Sequence, residues 1–295
     1  MRSLAVHLRR KGPPQMSSRP PASRERRPAP QTELPPLALA PAETLTGRLP
    51  GLVAAFSTAL PRLDGVALET QLRALAARHW SRPESAVPTP LLLQQTHSPD
   101  VLQLEEPPAT AAHLAGPAQR PVADGVAAGL PHARLLAVRT ADCVPLLAVD
   151  EALGRYAALH AGWRGSAAGI LTNLLQAWRT AGSGLASVHL ELGPHIQGCC
   201  YEVGVDCLER FAAADLADAV LLREGRSHLH LAAVLRTQAL RAGVPAAHIH
   251  VSPHCTDCHR APDGSAPYAG YRRARRDGGN PGERNVGLIG VLAPR

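Results

Sequence analysis

The chain has 295 residues, 45 per cent of them hydrophobic, which suffices for one large core or two small ones. Aromatic residues make up only 3 per cent, so Leu, Val and Ala must build that core, and no apolar run approaches the roughly 20 residues of a membrane helix. Of the net charge of +7, a surplus of six lies in residues 1–40, where eight Arg and Lys face only Glu25 and Glu33; a nucleic-acid footprint would sit on the folded domain, so nucleic-acid binding is set aside.

Residues 1–42 read as a disordered arm, rich in Pro and Arg and without apolar periodicity. The arm lacks the apolar stretch of a secretory signal, and Pro13, Pro14, Pro20 and Pro21 prevent the long amphipathic helix of a transit peptide. A cytoplasmic location is therefore expected, and the cysteines at 143, 199, 200, 207, 255 and 258 are read as thiols or metal ligands rather than disulfides.

The folded domain is expected over 43–295. It begins near Leu52 with a strand, LVAAFST, followed by a helix carrying Leu68, Leu72 and Leu75. Pro83, Pro88 and Pro90 precede a strand, LLLQQT, and a Pro- and Ala-rich loop at 107–121 leads to Ala123-Asp124-Gly125, read as a turn. Arg134–Arg139, Val144–Val149 and Tyr156–Leu159 have strand length. Gly162 and Gly165 open a helix with Ile170, Leu171, Leu174, Leu175 and Trp178 on one side. Val188–Leu192 alternates as a strand, helices are expected near 204–214 and 231–242, and His248–Ser252 forms a last strand. This interleaving predicts an α/β domain with a mixed sheet.

Three segments place reactive side chains at predicted strand ends: Gln95-Thr96-His97, Thr140-Ala141-Asp142-Cys143, and His160-Ala161-Gly162-Trp163-Arg164-Gly165. Two imidazoles and a thiolate suit zinc, and a fourth position left to water is the catalytic type, with the water's pKa brought towards about 7. Spacing alone is a weak signal, because 14 His and 6 Cys offer many triplets. On the residues alone, Cys143 reads equally as a buried small hydrophobe and His160 as a strand cap.

These motifs continue in order with Gly193-Pro194-His195-Ile196-Gln197-Gly198-Cys199-Cys200-Tyr201-Glu202-Val203-Gly204, Tyr271-Arg272-Arg273, Asp277-Gly278-Gly279-Asn280 and Asn285-Val286-Gly287-Leu288-Ile289. From about residue 50 to the end the chain resembles the laccase-domain, or polyphenol oxidoreductase, family of the purine nucleoside phosphorylase type. The resemblance implies an α/β (layered α+β) fold, with mixed β-sheets flanked by helices in a single compact domain, that resembles certain bacterial toxin deamidases with a Cys–His pair. It also implies a zinc held by His97, Cys143 and His160, with copper the other ion to consider. The implied activities are phosphorolysis of inosine, guanosine, adenosine and 5′-methylthioadenosine, and deamination of adenosine, in a monomer or small homo-oligomer.

Arg164, at a predicted helix start, is the first candidate for phosphate, since a guanidinium fork binds two oxygens. Arg272 and Arg273 come second, with a solvated basic run as the plainer reading. Asp142 would orient a ligand, act as a base or cap local backbone, and Trp163 would stack on a purine or simply pack. The chain departs from the family where Phe56-Ser57-Thr58 leads to Ala59-Leu60-Pro61-Arg62 without the usual Gly-rich loop, and where Ser98 and His195 replace smaller residues; His195 is read as filling space.

His254-Cys255-Thr256-Asp257-Cys258-His259 is half of a zinc ribbon without a second CxxC, so structural thiols or an accessory metal site are the readings there. With His189-Leu190-Glu191 it mimics a cytidine-deaminase pattern, but His254 intrudes between Pro253 and Cys255 and His189 lies in a strand. Multicopper oxidation is disfavoured, because Met1 and Met16 both lie in the arm and leave no axial methionine. Two other classes stay open: a Cys–His hydrolase or deamidase using Cys143 and His160, and a non-catalytic metal- or nucleotide-binding protein.

Overall fold

A computed structural model describes residues 38–63, 65–104, 120–131 and 134–292. Strand β1 (Leu39–Pro41) already pairs antiparallel with β2 (Leu52–Ser57), so ordered chain begins before the boundary expected at residue 43. The rest of the expected arm, residues 1–37, lies outside the described residues. Helix α1 (Gly65–His79) and the short strands β3 (Pro90–Leu92) and β4 (Val101–Gln103) follow. Next come β5 (Gly125–Gly129), β6 (Leu135–Thr140), β7 (Val144–Asp150) and β8 (Arg155–Ala161). Helices α2 (Trp163–Ala167) and α3 (Ile170–Thr180) lead to β9 (Val188–Leu192) and α4 (Val205–Ala213). A hairpin, β10 (Val220–Arg223) and β11 (Arg226–Leu229), precedes α5 (Leu231–Ala242), β12 (Ile249–Val251), α6 (Tyr271–Asp277) and β13 (Asn285–Val291).

The strands form a five-stranded sheet, β1-β2-β13-β6-β3, and a six-stranded sheet, β12-β9-β7-β8-β5-β4, both with mixed strand directions. The two sheets face each other. Strand β7 is buried along its whole length, and its period of two divides its side chains between two cores. Leu147 and Val149 join Ala54, Phe56, Val138 and Ile289 between the sheets, whereas Leu146 and Ala148 face the helices. On that outer face α3 buries Ile170, Leu171, Leu174, Leu175 and Trp178, the stripe that its 3.6-residue period predicts. Each fully buried Leu contributes about 1.5–3 kcal/mol by leaving water. Helix α1 covers the outer face of the other sheet, with Leu68, Leu72 and Leu75 against Ala55, Ala137 and Leu288. The result is four layers, helix–sheet–sheet–helix, in agreement with the fold class expected from the sequence.

The expected strand LLLQQT is cut short. β3 ends at Leu92, and Gln94 bridges Val122 beside the other sheet. The Gln95 amide then stands in for backbone pairing: its Nε2 donates to the Arg139 carbonyl at 2.7 Å and its Oε1 accepts from the Arg139 N–H at 2.9 Å. Ala123-Asp124-Gly125 is the entry to β5 rather than a turn. The crossing from one sheet to the other is what carries Thr96 and His97 to the ends of β6 and β8. Among the described residues, no helix is long and apolar enough to cross a membrane.

Candidate metal centre

Asp124 organises this end of the molecule. The carboxylate is wholly buried and accepts the backbone N–H groups of Thr96 at 2.9 Å, His97 at 2.9 Å and Ser98 at 2.7 Å. Wrapping three N–H groups round one carboxylate helps hold His97 in the left-handed conformation, with φ of 63°. The same carboxylate accepts a 2.6 Å bond from His160 Nδ1, and the Asp124 carbonyl accepts from the His160 N–H at 2.7 Å. Burial disfavours the ionised carboxylate, but the His160 ring and the Ser98 and Thr96 N–H groups outweigh it and hold Asp124 far below the usual carboxylate range. With Nδ1 committed to Asp124, the other nitrogen of His160 is left to act as a ligand.

His97, Cys143 and His160 come together with their ligand atoms all within 4.8 Å of one another. The two imidazoles meet edge to face, centroids 4.7 Å apart. Burial would push the Cys143 thiol up, but the charge of His160 and hydrogen bonds from both imidazoles prevail and bring it down to about 6. Burial likewise opposes charge on His160, yet the Cys143 thiolate and Asp124 raise it to about 9. The pair therefore favours the thiolate form, which is the form that binds metal.

Two glycines let the chain close on this group. A Cβ on Gly162 would stand 2.9 Å from His97 Cδ2 and 3.0 Å from Cys143 Sγ, and one on Gly165 would stand 2.8 Å from the Ser98 carbonyl oxygen. The donor set, the Asp124 support and this hydrogen-sized clearance fit a single metal ion held by His97, Cys143 and His160.

The three donors open onto a cleft of about 700 Å³. Arg62, Arg139, Arg164, Arg272 and Arg284 line it, against one carboxylate, that of Asp142, among the described residues. Trp163, Tyr201 and Tyr271 supply aromatic surface. Arg164 stands at the second position of α2 with its guanidinium 4.3 Å from the centroid of the Trp163 ring. Trp163 is half-buried; it packs on the outer core and also lines the cleft. Arg272 lies 4.7 Å from the centroid of the Tyr201 ring and donates to the Glu202 carbonyl at 2.5 Å.

Two expected site residues have hydrogen-bond partners within the protein. Arg273 donates to the carbonyls of Thr256 and Tyr268 and is absent from the cleft lining, so it clasps backbone rather than meeting a ligand. Asp142 lines the cleft, but Oδ1 accepts from Thr256 Oγ1 at 2.7 Å and Oδ2 from the Arg272 N–H at 2.8 Å, which caps the first turn of α6. Burial raises its pKa against these bonds. Of the roles considered for Asp142, capping local backbone is the one these bonds describe, while the carboxylate that meets the His160 ring is that of Asp124. His195 is wholly buried, and its Nδ1 meets the Gly193 carbonyl at 2.8 Å. Arg62, Arg139, Arg284 and Tyr201 were not singled out from the sequence, because only the folded chain gathers them. Among the described residues a second group able to hold a metal occurs, Cys199, Cys200, Cys255 and Cys258.

Comparison with known proteins finds relatives that match part of this chain. The adenosine deaminase RL5, from an unknown prokaryotic organism, is 35% identical over 158 residues, 52% of this chain and 57% of that protein. The purine nucleoside phosphorylase of Deinococcus radiodurans is 39% identical over 157 residues, 53% of this chain and 57% of that one. The chain thus spans a little over half the length of these curated relatives. The crystal structure of YlmD from Geobacillus stearothermophilus superimposes with a TM-score of 0.67 at 27% identity, over 84% of this chain and 94% of that chain. The profile described as multi-copper polyphenol oxidoreductase laccase matches residues 68–289, a stretch that contains all three donors of the His97 group, and the chain belongs to that family.

Proposed function

We propose that this protein is a zinc-dependent enzyme of purine nucleosides, a phosphorylase with adenosine deaminase side activity. The observation that carries the reading is the convergence of His97, Cys143 and His160 at the edge of a cleft lined by five arginines and three aromatic rings. The names of the relatives, adenosine deaminase and purine nucleoside phosphorylase, support the substrate class. Bound at these donors, a divalent ion supplies Lewis-acid polarisation of a purine or acidification of water.

The chain's own residues do the rest. Arg164 and Arg272 are assigned to phosphate, whose oxygens match the guanidinium fork. Tyr201, Trp163 and Tyr271 offer faces to the purine ring. Asp124 keeps His160 in one tautomer and one orientation. In phosphorolysis the C1′–N9 bond breaks, a phosphate oxygen bonds to C1′, and the purine leaves with a proton. In deamination water adds at C6 and ammonia leaves.

The test is incubation of the purified protein with inosine and with adenosine, each with and without phosphate, and separation of the products by chromatography. Phosphate-dependent hypoxanthine or adenine supports phosphorolysis, and phosphate-independent inosine from adenosine supports deamination. Absence of product from protein carrying zinc at His97, Cys143 and His160 overturns the reading in favour of a binding protein. The Cys143–His160–Asp124 alignment, with its lowered thiol, also supports a cysteine hydrolase. That reading requires activity to survive chelation and to be abolished when iodoacetamide alkylates Cys143.

A further inference from the structure

We propose that Cys199, Cys200, Cys255 and Cys258 form a second metal site, a tetrathiolate that takes one zinc ion and staples the loop after β9 to the segment after β12. The inference is independent of the nucleoside reading, since it uses none of the residues of the His97 group.

The geometry is that of a single ion. A tetrahedral zinc with Zn–S bonds of about 2.3 Å spaces its sulfurs by roughly 3.8 Å. Cys199 Sγ and Cys258 Sγ are 3.7 Å apart, and all four sulfurs lie within 4.8 Å of one another. None is engaged in a disulfide. Four thiolates select a soft ion and discriminate against calcium and magnesium, which require oxygen. An iron–sulfur cluster distributes its cysteines over several irons and spreads their sulfurs more widely than one ion does.

The backbone already holds the cluster in place. A parallel bridge joins His195 to Cys255, with the Thr256 N–H donating to the His195 carbonyl at 3.0 Å. The Gln197 N–H points at Cys255 Sγ from 3.4 Å, and the Gln197 amide donates to the Ser252 carbonyl at 3.1 Å. The Cys200 N–H closes a turn on the Gln197 carbonyl at 2.9 Å, which brings the adjacent cysteines over the CxxC loop. Between Cys255 and Cys258, Asp257 is buried and held by both terminal nitrogens of Arg276, at 3.0 and 2.9 Å. Sequence spacing could not pair a CC dipeptide with a CxxC more than 50 residues away; the two loops meet only in the fold.

The site lies behind the cleft wall. The Ile196 N–H, on the first stapled loop, donates to the Asp142 carbonyl at 2.9 Å, and Thr256, on the second, donates to the Asp142 carboxylate at 2.7 Å. Fixing the two loops together therefore fixes the residue that precedes Cys143.

The experiment is metal analysis of the full chain purified in zinc and exchanged into metal-free buffer, compared with Cys199→Ser/Cys258→Ser and His97→Ala/Cys143→Ser. The expected result is that the cysteine variant binds one zinc fewer than the wild type, while the His97/Cys143 variant keeps one. That retained ion should exchange for cobalt(II) with strong sulfur-to-cobalt charge-transfer absorption. Should the cysteine variant fail to fold, the retained ion and its cobalt spectrum in the other variant still decide the matter. A cysteine variant that binds as much zinc as the wild type overturns the proposal. So does a folded His97/Cys143 variant that binds none, or a Cys199–Cys258 disulfide in non-reduced peptide maps. A wild type holding one zinc that is lost only with Cys199 and Cys258 supports this site and counts against the His97 centre, so the two failures are distinct.

Discussion

Asp124 gathers five donors on one carboxylate: three backbone N–H groups of the His97 segment, the Thr96 hydroxyl at 3.3 Å and the ring of His160. An amide in its place offers a single acceptor oxygen and cannot carry the charge that complements His160. Asp124→Asn is therefore expected to weaken metal binding about 10–100-fold, read by competition with a chromophoric chelator. An unchanged affinity would refute the supporting role. Gly162→Ala tests the clearance round the donors, since the added methyl would meet His97 and Cys143 at about 3 Å. The backbone there is extended, with φ of −77°, so the fold should survive while metal affinity falls. Equal zinc affinity in the variant would show that the donors can spread. At this scale the segments that carry His97, Cys143 and His160 were legible at strand ends, and the family resemblance supplied their grouping. Asp124 was not, because it is one of 24 acidic residues and its partners lie as much as 36 positions along the chain.

Helix α3 shows what periodicity can disclose. Its five apolar positions predicted a buried stripe, and Leu174 is fully buried there. Leu174→Ala should cost about 2–5 kcal/mol, measured as a shift of the urea midpoint; a loss below 1 kcal/mol would mean the site collapses round the gap. Strand β9 carries a pH dependence. His189 is held by burial first, then by Arg48 and His248, at a pKa of about 4, and its Nε2 accepts from Arg48 at 2.8 Å. The unfolded chain, with the ordinary value of 6.5, binds the proton more readily. The stability due to neutral His189 is thus complete above pH 6.5 and is lost as pH falls towards 4. The expected loss is about 1–3 kcal/mol, and His189→Gln should reduce it in denaturant titrations at pH 7 and pH 4.5. Identical pH slopes for the two proteins would remove His189 as the cause. The β10–β11 hairpin and β13 went unread, since exposed short strands and a Gly-interrupted run give no clean alternation. β3 was overextended because an apolar run does not reveal where a chain leaves its sheet.

For the whole molecule, the α/β class followed from interleaved elements and the layering from the family resemblance, but the strand order did not follow from either, since partners distant in the chain leave no local trace. The start of the domain illustrates this. β1 looks like part of a Pro-rich arm, yet it pairs with β2, and Leu39 and Ala42 are buried. A chain begun at residue 38 should melt several degrees higher than one begun at residue 43, by calorimetry. Equal melting temperatures would return residues 38–42 to the arm.

The last strand has a further meaning for how the protein comes into being. β13 lies between β2 and β6, and the Val286 N–H bonds to Ser57 Oγ across 229 positions. While the ribosome is still translating, β2 and β6 have no neighbour between them and expose the backbone edges that β13 will satisfy. Completion of that sheet waits for residues 285–291, so a polypeptide halted at residue 284 should aggregate, found in the pellet on expression, rather than accumulate as a soluble shortened form.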